Sequence, residues 1–322
     1  MKGKMKHWVQ VSLLLSCMLV LAAIMTGCGG KSEVTLAEGK INVITTFYTL
    51  YDFASRIGGE KANVVNLVPS GVEPHDWTPK SRDLTQMGKA QLFVYNGAGL
   101  EGWVDEFLDG SKRENGLTVV TASDGIELLH AEEDEHEDEH GKEHAHGDLD
   151  VDPHVWVSPK SALKIAENVK NGFIAVDKAN QAYYEANYET LRKQLVDLDA
   201  KFSSSLASAK QKEIVVSHQA FGYLCRDYGL TQMPVLGLSP DSEPTAQDLK
   251  RINQFVKEHQ VKYIFFEELV SDKTANMLAK DAGISTLVLN PLEGLTKEQA
   301  KAGESYVSIM EKNLQNLLKA LQ

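Results

Sequence analysis

Short apolar runs recur along the chain from residue 40, and stretches with a helical rhythm separate them. Eight stand out: 41–47, 64–68, 92–95 and 117–121, then 213–217, 233–236, 263–266 and 286–289. Several are β-branched and apolar without polar alternation, as strands covered on both faces of a parallel sheet are. Helical patterns lie between most of them, which predicts an α/β fold of repeated βα units. Four strands fall on each side of a long gap, which predicts two lobes of parallel sheet flanked by helices. Inside the gap, Tyr184, Tyr188, Leu191, Leu195, Leu198, Phe202 and Leu206 recur at steps of three and four. That is one apolar stripe on a helix over 180–209. At ~1.5 Å per residue it is ~45 Å long. By spacing alone it is either a rigid spine joining the lobes or a packed helix of one lobe.

The first residues have a different pattern. Lys2, Lys4 and Lys6 precede an almost uncharged run over 11–25, too short for the ~20 residues of a membrane span and laid out like an export signal. Met25-Thr26-Gly27-Cys28 resembles a lipobox, where bacterial lipoproteins are acylated on Cys and cleaved. Residues 1–27 are therefore expected to be a leader and Cys28 a lipidation site. Two or more acyl chains there anchor a protein firmly, where one does not. The polar residues up to 39 read as a tether.

Composition narrows the classes. The chain has 322 residues, 43% hydrophobic and 24% charged, enough for a full core in two lobes. Its net charge of -12 argues against nucleic acid, whose phosphates need a basic face. Of three cysteines, Cys17 leaves with the leader and Cys28 is capped, so Cys225 has no internal disulfide partner. Residues 130–150 hold ten acids, one Lys and five His, with too little apolar content for a core. His130, His136, His140, His144 and His146 can capture metal weakly there, or the segment can be a solubilising loop.

Outside that segment, His7 lies in the leader and His259 reads as a solvated helix end. Three histidines share a context. His75 follows the strand at 64–68, His154 precedes a helix starting near Pro159, and His218 ends the strand at 213–217. Ligands of open α/β sheets bind beyond the carboxyl ends of strands, and imidazole is the commonest ligand for borderline metal ions. Three such histidines need one more donor for a tetrahedral zinc site. Glu293 is the leading candidate, with Gly294 suited to a tight turn around a ligand; Glu267 and Glu268 are rivals, suited to a surface or supporting role. Asp76 or Asp152 can orient a ligand His through its other N–H.

Four motifs carry a family resemblance: Pro74-His75-Asp76-Trp77, Asp152-Pro153-His154-Val155-Trp156, Ser217-His218-Gln219-Ala220-Phe221-Gly222-Tyr223 and Asn290-Pro291-Leu292-Glu293-Gly294-Leu295. With Tyr95 to Glu101, Gly237 to Pro240 and Glu243-Pro244, they resemble, in order, the zinc-receptor lipoproteins of bacterial ABC importers. The resemblance implies a first lobe over 40–179, a linking helix over 180–209 and a second lobe over 210–322. It implies Zn²⁺ in the interlobe cleft, held by His75 and His154 from the first lobe and His218 and Glu293 from the second.

The function expected is that of a monomeric extracytoplasmic receptor, lipid-anchored to the cell membrane, which binds Zn²⁺ with high affinity and delivers it to an ABC permease and its ATPase. A nitrogen-rich donor set favours zinc over manganese. A manganese or iron receptor of the same fold is the alternative within the class. A zinc hydrolase is the alternative outside it, but no Gly-x-Ser-x-Gly is present and the His-Glu-x-x-His at His136–His140 falls inside the acidic segment that lacks a core. No sequence feature supports a cell-adhesion role.

Overall fold

The computed structural model describes residues 34–110, 116–130, 151–240 and 244–322. The leader, Cys28, Glu243 and four of the segment histidines (His136, His140, His144 and His146) lie outside the described residues.

The first lobe is built on strands β1 (Ile41–Thr45), β2 (Ala62–Asn66), β3 (Leu92–Tyr95) and β4 (Thr118–Thr121). Between them run helices α1 (Tyr48–Gly58), α2 (Ser81–Met87) and α3 (Val104–Gly110). Helix α4 (Pro159–Val176) follows, and then the long α5 (Gln181–Ala207). The second lobe comprises β5 (Glu213–His218), α6 (Gly222–Tyr228), β6 (Thr231–Leu236), α7 (Ala246–Glu258), β7 (Tyr263–Phe266), α8 (Lys273–Ala282) and β8 (Ser285–Val288). Helices α9 (Lys297–Ala302) and α10 (Tyr306–Ala320) close the chain. The sheets are all parallel and share one plan, β2-β1-β3-β4 and β6-β5-β7-β8.

All eight expected strands form, six of them with shifted ends. The first stops at Thr45 rather than Phe47, because Phe47 already caps α1. The second runs Ala62–Asn66, two residues earlier than expected. Leu67 and Val68 still donate to Thr45 O and Thr46 O, so the backbone stays extended past the ladder. His218 is the last residue of β5 itself.

Strand alternation sorts the apolar residues into three cores. Val43, Leu92 and Val94 face a central core, whereas Ile44 and Phe93 face an outer one beside α3. In the second lobe Ile214, Val216 and Phe265 face the same central core, and Val215 and Ile264 face a separate cluster with α7 and α8. The linking helix runs through the central core. Tyr184, Leu191, Leu195, Leu198, Phe202 and Leu206 are buried, and Tyr188 is half-buried at the margin. Its 27 residues span ~40 Å, and it packs on α1, α4 and α10. Both lobes therefore share one hydrophobic interior around a spine, an arrangement that resists free hinge motion.

Candidate metal centre

Four side chains from four separate segments meet between the lobes. His75 lies on the loop joining β2 to α2, and His154 on the approach to α4, whose Pro159 opens the helix. His218 ends β5, and Glu293 sits in the turn between β8 and α9. Three of these positions follow carboxyl ends of parallel strands, where such sheets present their ligands. The rings of His154 and His218 and the Glu293 carboxylate are buried, and the His75 side chain is 5% exposed.

Their donor atoms all lie within 4.8 Å of one another. His75 Nε2 is 3.1 Å from His154 Nε2 and 3.3 Å from Glu293 Oε1. His154 Nε2 is 3.2 Å from Glu293 Oε1, and His218 Nε2 is 3.3 Å from His154 Nε2 and 3.4 Å from Glu293 Oε1. Zinc holds N and O ligands at ~2.0–2.1 Å, which makes the edge of a regular tetrahedron ~3.3–3.4 Å. The group matches that size and can hold a metal ion.

Carboxylates behind the rings decide which nitrogen faces the centre. His154 Nδ1 lies 2.8 Å from Asp152 Oδ1, which also accepts the His154 backbone N–H at 2.9 Å. His218 Nδ1 lies 2.7 Å from Glu267 Oε1, which also accepts from Ser217 Oγ at 2.6 Å. With Nδ1–H donated outward, the neutral rings turn Nε2 lone pairs inward, the usual support for a metal-binding His. Gly222 makes room for this, since a Cβ there would stand 2.5 Å from Asp152 Oδ2.

The charges favour a cation at the centre. Burial opposes protonation of His154, but the Asp152 and Glu293 carboxylates outweigh it and raise its pKa. Burial likewise opposes protonation of His218, yet Glu267 and Glu293 raise it well above the ordinary value. Burial raises Glu293, but hydrogen bonds from His154, His218 and His75 hold it well below the usual carboxylate range. Glu73, which accepts the His75 backbone N–H at 3.0 Å, is pushed up to about 9 by burial and then by the Glu293 charge.

The family described as "ZnuA: Zinc-uptake complex component A periplasmic" matches residues 43–320. The chain belongs to the ZnuA family. It is 42% identical over 319 residues to the high-affinity zinc uptake system protein ZnuA of Bacillus subtilis, covering 98% of each chain. It is 40% identical over 312 residues to the zinc-binding lipoprotein AdcA of Streptococcus pneumoniae, covering 96% of this chain but only 60% of AdcA. The crystal structure of the Zn(II)-bound ZnuA-like domain of that AdcA superposes with a TM-score of 0.75 at 38% identity, covering 88% of this chain and 99% of the domain.

In this ZnuA-family chain the second-lobe turn is braced from the first lobe. Trp156 Nε1 donates to Pro291 O at 2.7 Å, and Thr49 Oγ1 to Leu292 O at 2.9 Å. Leu292 N–H donates to Asn290 Oδ1 at 2.7 Å, and Asn290 is held by Asn313 on α10. The left-handed residue of this turn is Leu292 (φ 60°). Gly294 serves close approach instead: a Cβ there would stand 2.8 Å from Leu269 Cδ1. The Tyr95–Glu101 segment supports His154 from behind. Glu101 accepts from Thr46 Oγ1 and from the Asn96 and Gly97 N–H groups, and Asn96 Nδ2 donates to Pro153 O.

Of the rival acids, Glu267 backs His218, while Glu268 is exposed and accepts from Asn290 and Gln299. Glu73 and the Trp156 bond to Pro291 went unread in the sequence; the only signal was Glu73 two residues before His75. His259 caps α7 and stacks on Phe255 away from the centre.

Proposed function

We propose that this chain is the extracytoplasmic receptor that captures Zn²⁺ with high affinity and hands it to the permease and ATPase of an ABC importer. The observation that carries the reading is the convergence of the His75, His154, His218 and Glu293 donors, all within 4.8 Å of one another and five of their six separations at 3.1–3.4 Å. Three imidazoles and one carboxylate suit zinc better than manganese. A zinc hydrolase keeps a ligand position open for water; with Glu293 as fourth ligand none is left. The Zn²⁺ is cargo, and the family is one of zinc-uptake components rather than enzymes.

The remaining assignments support delivery. Acylated Cys28 anchors a monomer to the outer face of the membrane, and the residues up to 39 give it reach. Lobes over 40–179 and 210–322 are joined by the helix over 180–209. His130, His136, His140, His144 and His146 capture metal weakly near the cleft. His130 itself bridges to Val151, three residues before His154.

Titration of the metal-free protein with Zn²⁺ against a competing chelator tests the reading. One tight site should vanish in His75→Ala and survive deletion of 131–146. A tight site that survives His75→Ala and disappears with the segment would refute the cleft assignment.

A further inference from the structure

The four donors are closed off from solvent. His154 and His218 are 0% exposed, Glu293 is 1% exposed, and only the His75 side chain retains 5%. A cation therefore needs a defined way in. One pocket, of about 190 Å³ including its open mouth, touches a member of the donor set. Glu293 forms part of its wall, together with Glu267, Glu268, Leu269 and Gly294. Three carboxylates and no cationic side chain line it. Gly294 in its wall stands at the seam between the lobes, since a Cβ there would meet Leu269 Cδ1 at 2.8 Å and the Val72 carbonyl at 3.4 Å.

A second observation points to a ligand. Glu267 is 3% exposed and commits Oε1 to His218 and Ser217. Its Oε2 is buried and has no hydrogen-bond partner among the described residues. A buried carboxylate oxygen without a partner is costly unless something visits it. Glu268 is exposed and belongs to the same pocket. Acids grade from solvent through Glu268 to Glu267 and then to Glu293, the one carboxylate of the donor set.

We propose that this pocket is the port by which a divalent cation enters and leaves the four-ligand centre. Glu268 draws the ion in, and the free oxygen of Glu267 holds it for the step onto Glu293. The proposal rests on the assignment of His75, His154, His218 and Glu293 as ligands. It concerns rates rather than affinity, since a port changes entry and exit together.

The test measures Zn²⁺ association with the full metal-free chain by competition with a fluorescent zinc chelator, and release into excess chelator. Glu268→Lys reverses the charge at the mouth, and Leu269→Phe narrows it. Association in Glu268→Lys should slow about tenfold and lose most of its salt dependence, at about threefold per unit charge met by a divalent ion. Leu269→Phe should slow association and release alike, leaving affinity within about twofold. Thermal melts of the metal-free variants confirm that they are folded. Wild-type rates in both folded variants would overturn the port while leaving the receptor reading intact. A changed release rate with unchanged association would also overturn it, because that pattern marks a structural role. Loss of tight binding in wild type would instead sink the receptor reading.

Discussion

Replacing Glu267 by Gln isolates what a carboxylate behind a metal-binding ring contributes. The side chain keeps its shape and an oxygen to accept from His218 Nδ1, but loses its charge. That oxygen lies 2.7 Å from Nδ1 in a site where both side chains are nearly sealed. Crossing the ring and a metal–nitrogen bond places the carboxylate about 6–7 Å from an ion at the centre. A unit charge and a divalent ion at that distance attract by about 1 kcal/mol at water's dielectric constant and about 5 kcal/mol at an effective value of 20. The same carboxylate also raises the His218 pKa and so strengthens the proton that zinc must displace, which subtracts from the gain. The expected net loss is ~1.4–2.7 kcal/mol, or about 10- to 100-fold in zinc affinity, in line with other supporting carboxylates. Chelator competition at pH 8, 7 and 6 measures it. The gap between wild type and Glu267→Gln should narrow as pH falls, because the proton penalty lost in the variant weighs most at low pH. An affinity within twofold of wild type at pH 8 would refute the reasoning.

Four further outcomes follow from the geometry. Zinc affinity should fall steeply on acidification, by up to about tenfold per pH unit for each proton displaced, and calorimetry in buffers of different ionisation heat should register proton release. In the metal-free protein the raised His154 and His218 stabilise the fold below their unfolded value near ~6.5 and lose that contribution as pH rises through their raised pKa values. Glu293, depressed, contributes above ~4.5 and loses it as pH falls through its lowered pKa, so the zinc-induced gain in Tm should grow toward pH 8. Trp156→Phe leaves the Pro291 carbonyl without its buried donor and should cost about 1–3 kcal/mol in urea unfolding. Leu198→Ala, in the middle of the spine, should cost about 2–5 kcal/mol and keep one cooperative transition, since the central core spans both lobes; two separated transitions would contradict a shared core.

The order of elements was readable along the chain because each depends on neighbours in sequence. Continuous apolar runs such as Leu92–Tyr95 want cover on both faces, and a stripe from Tyr184 to Leu206 exists only on a helix. The three histidines of the cluster were readable too, since each stands near a strand end or helix start. Strand ends moved by a residue or two because ladder partners, rather than local apolarity, decide where pairing stops. What only the tertiary structure decided is how distant segments share atoms. Glu267 and Glu268 are adjacent and chemically alike, yet one is buried behind His218 and the other is exposed and accepts from Asn290 and Gln299. The strain at Leu292 rather than Gly294 is set by bonds from Thr49 and Trp156, hundreds of residues away and about 140 residues away along the chain. The sequence determined which residues could bind a metal; their convergence on one point came from packing two lobes on one spine, a long-range geometry that no local pattern encodes.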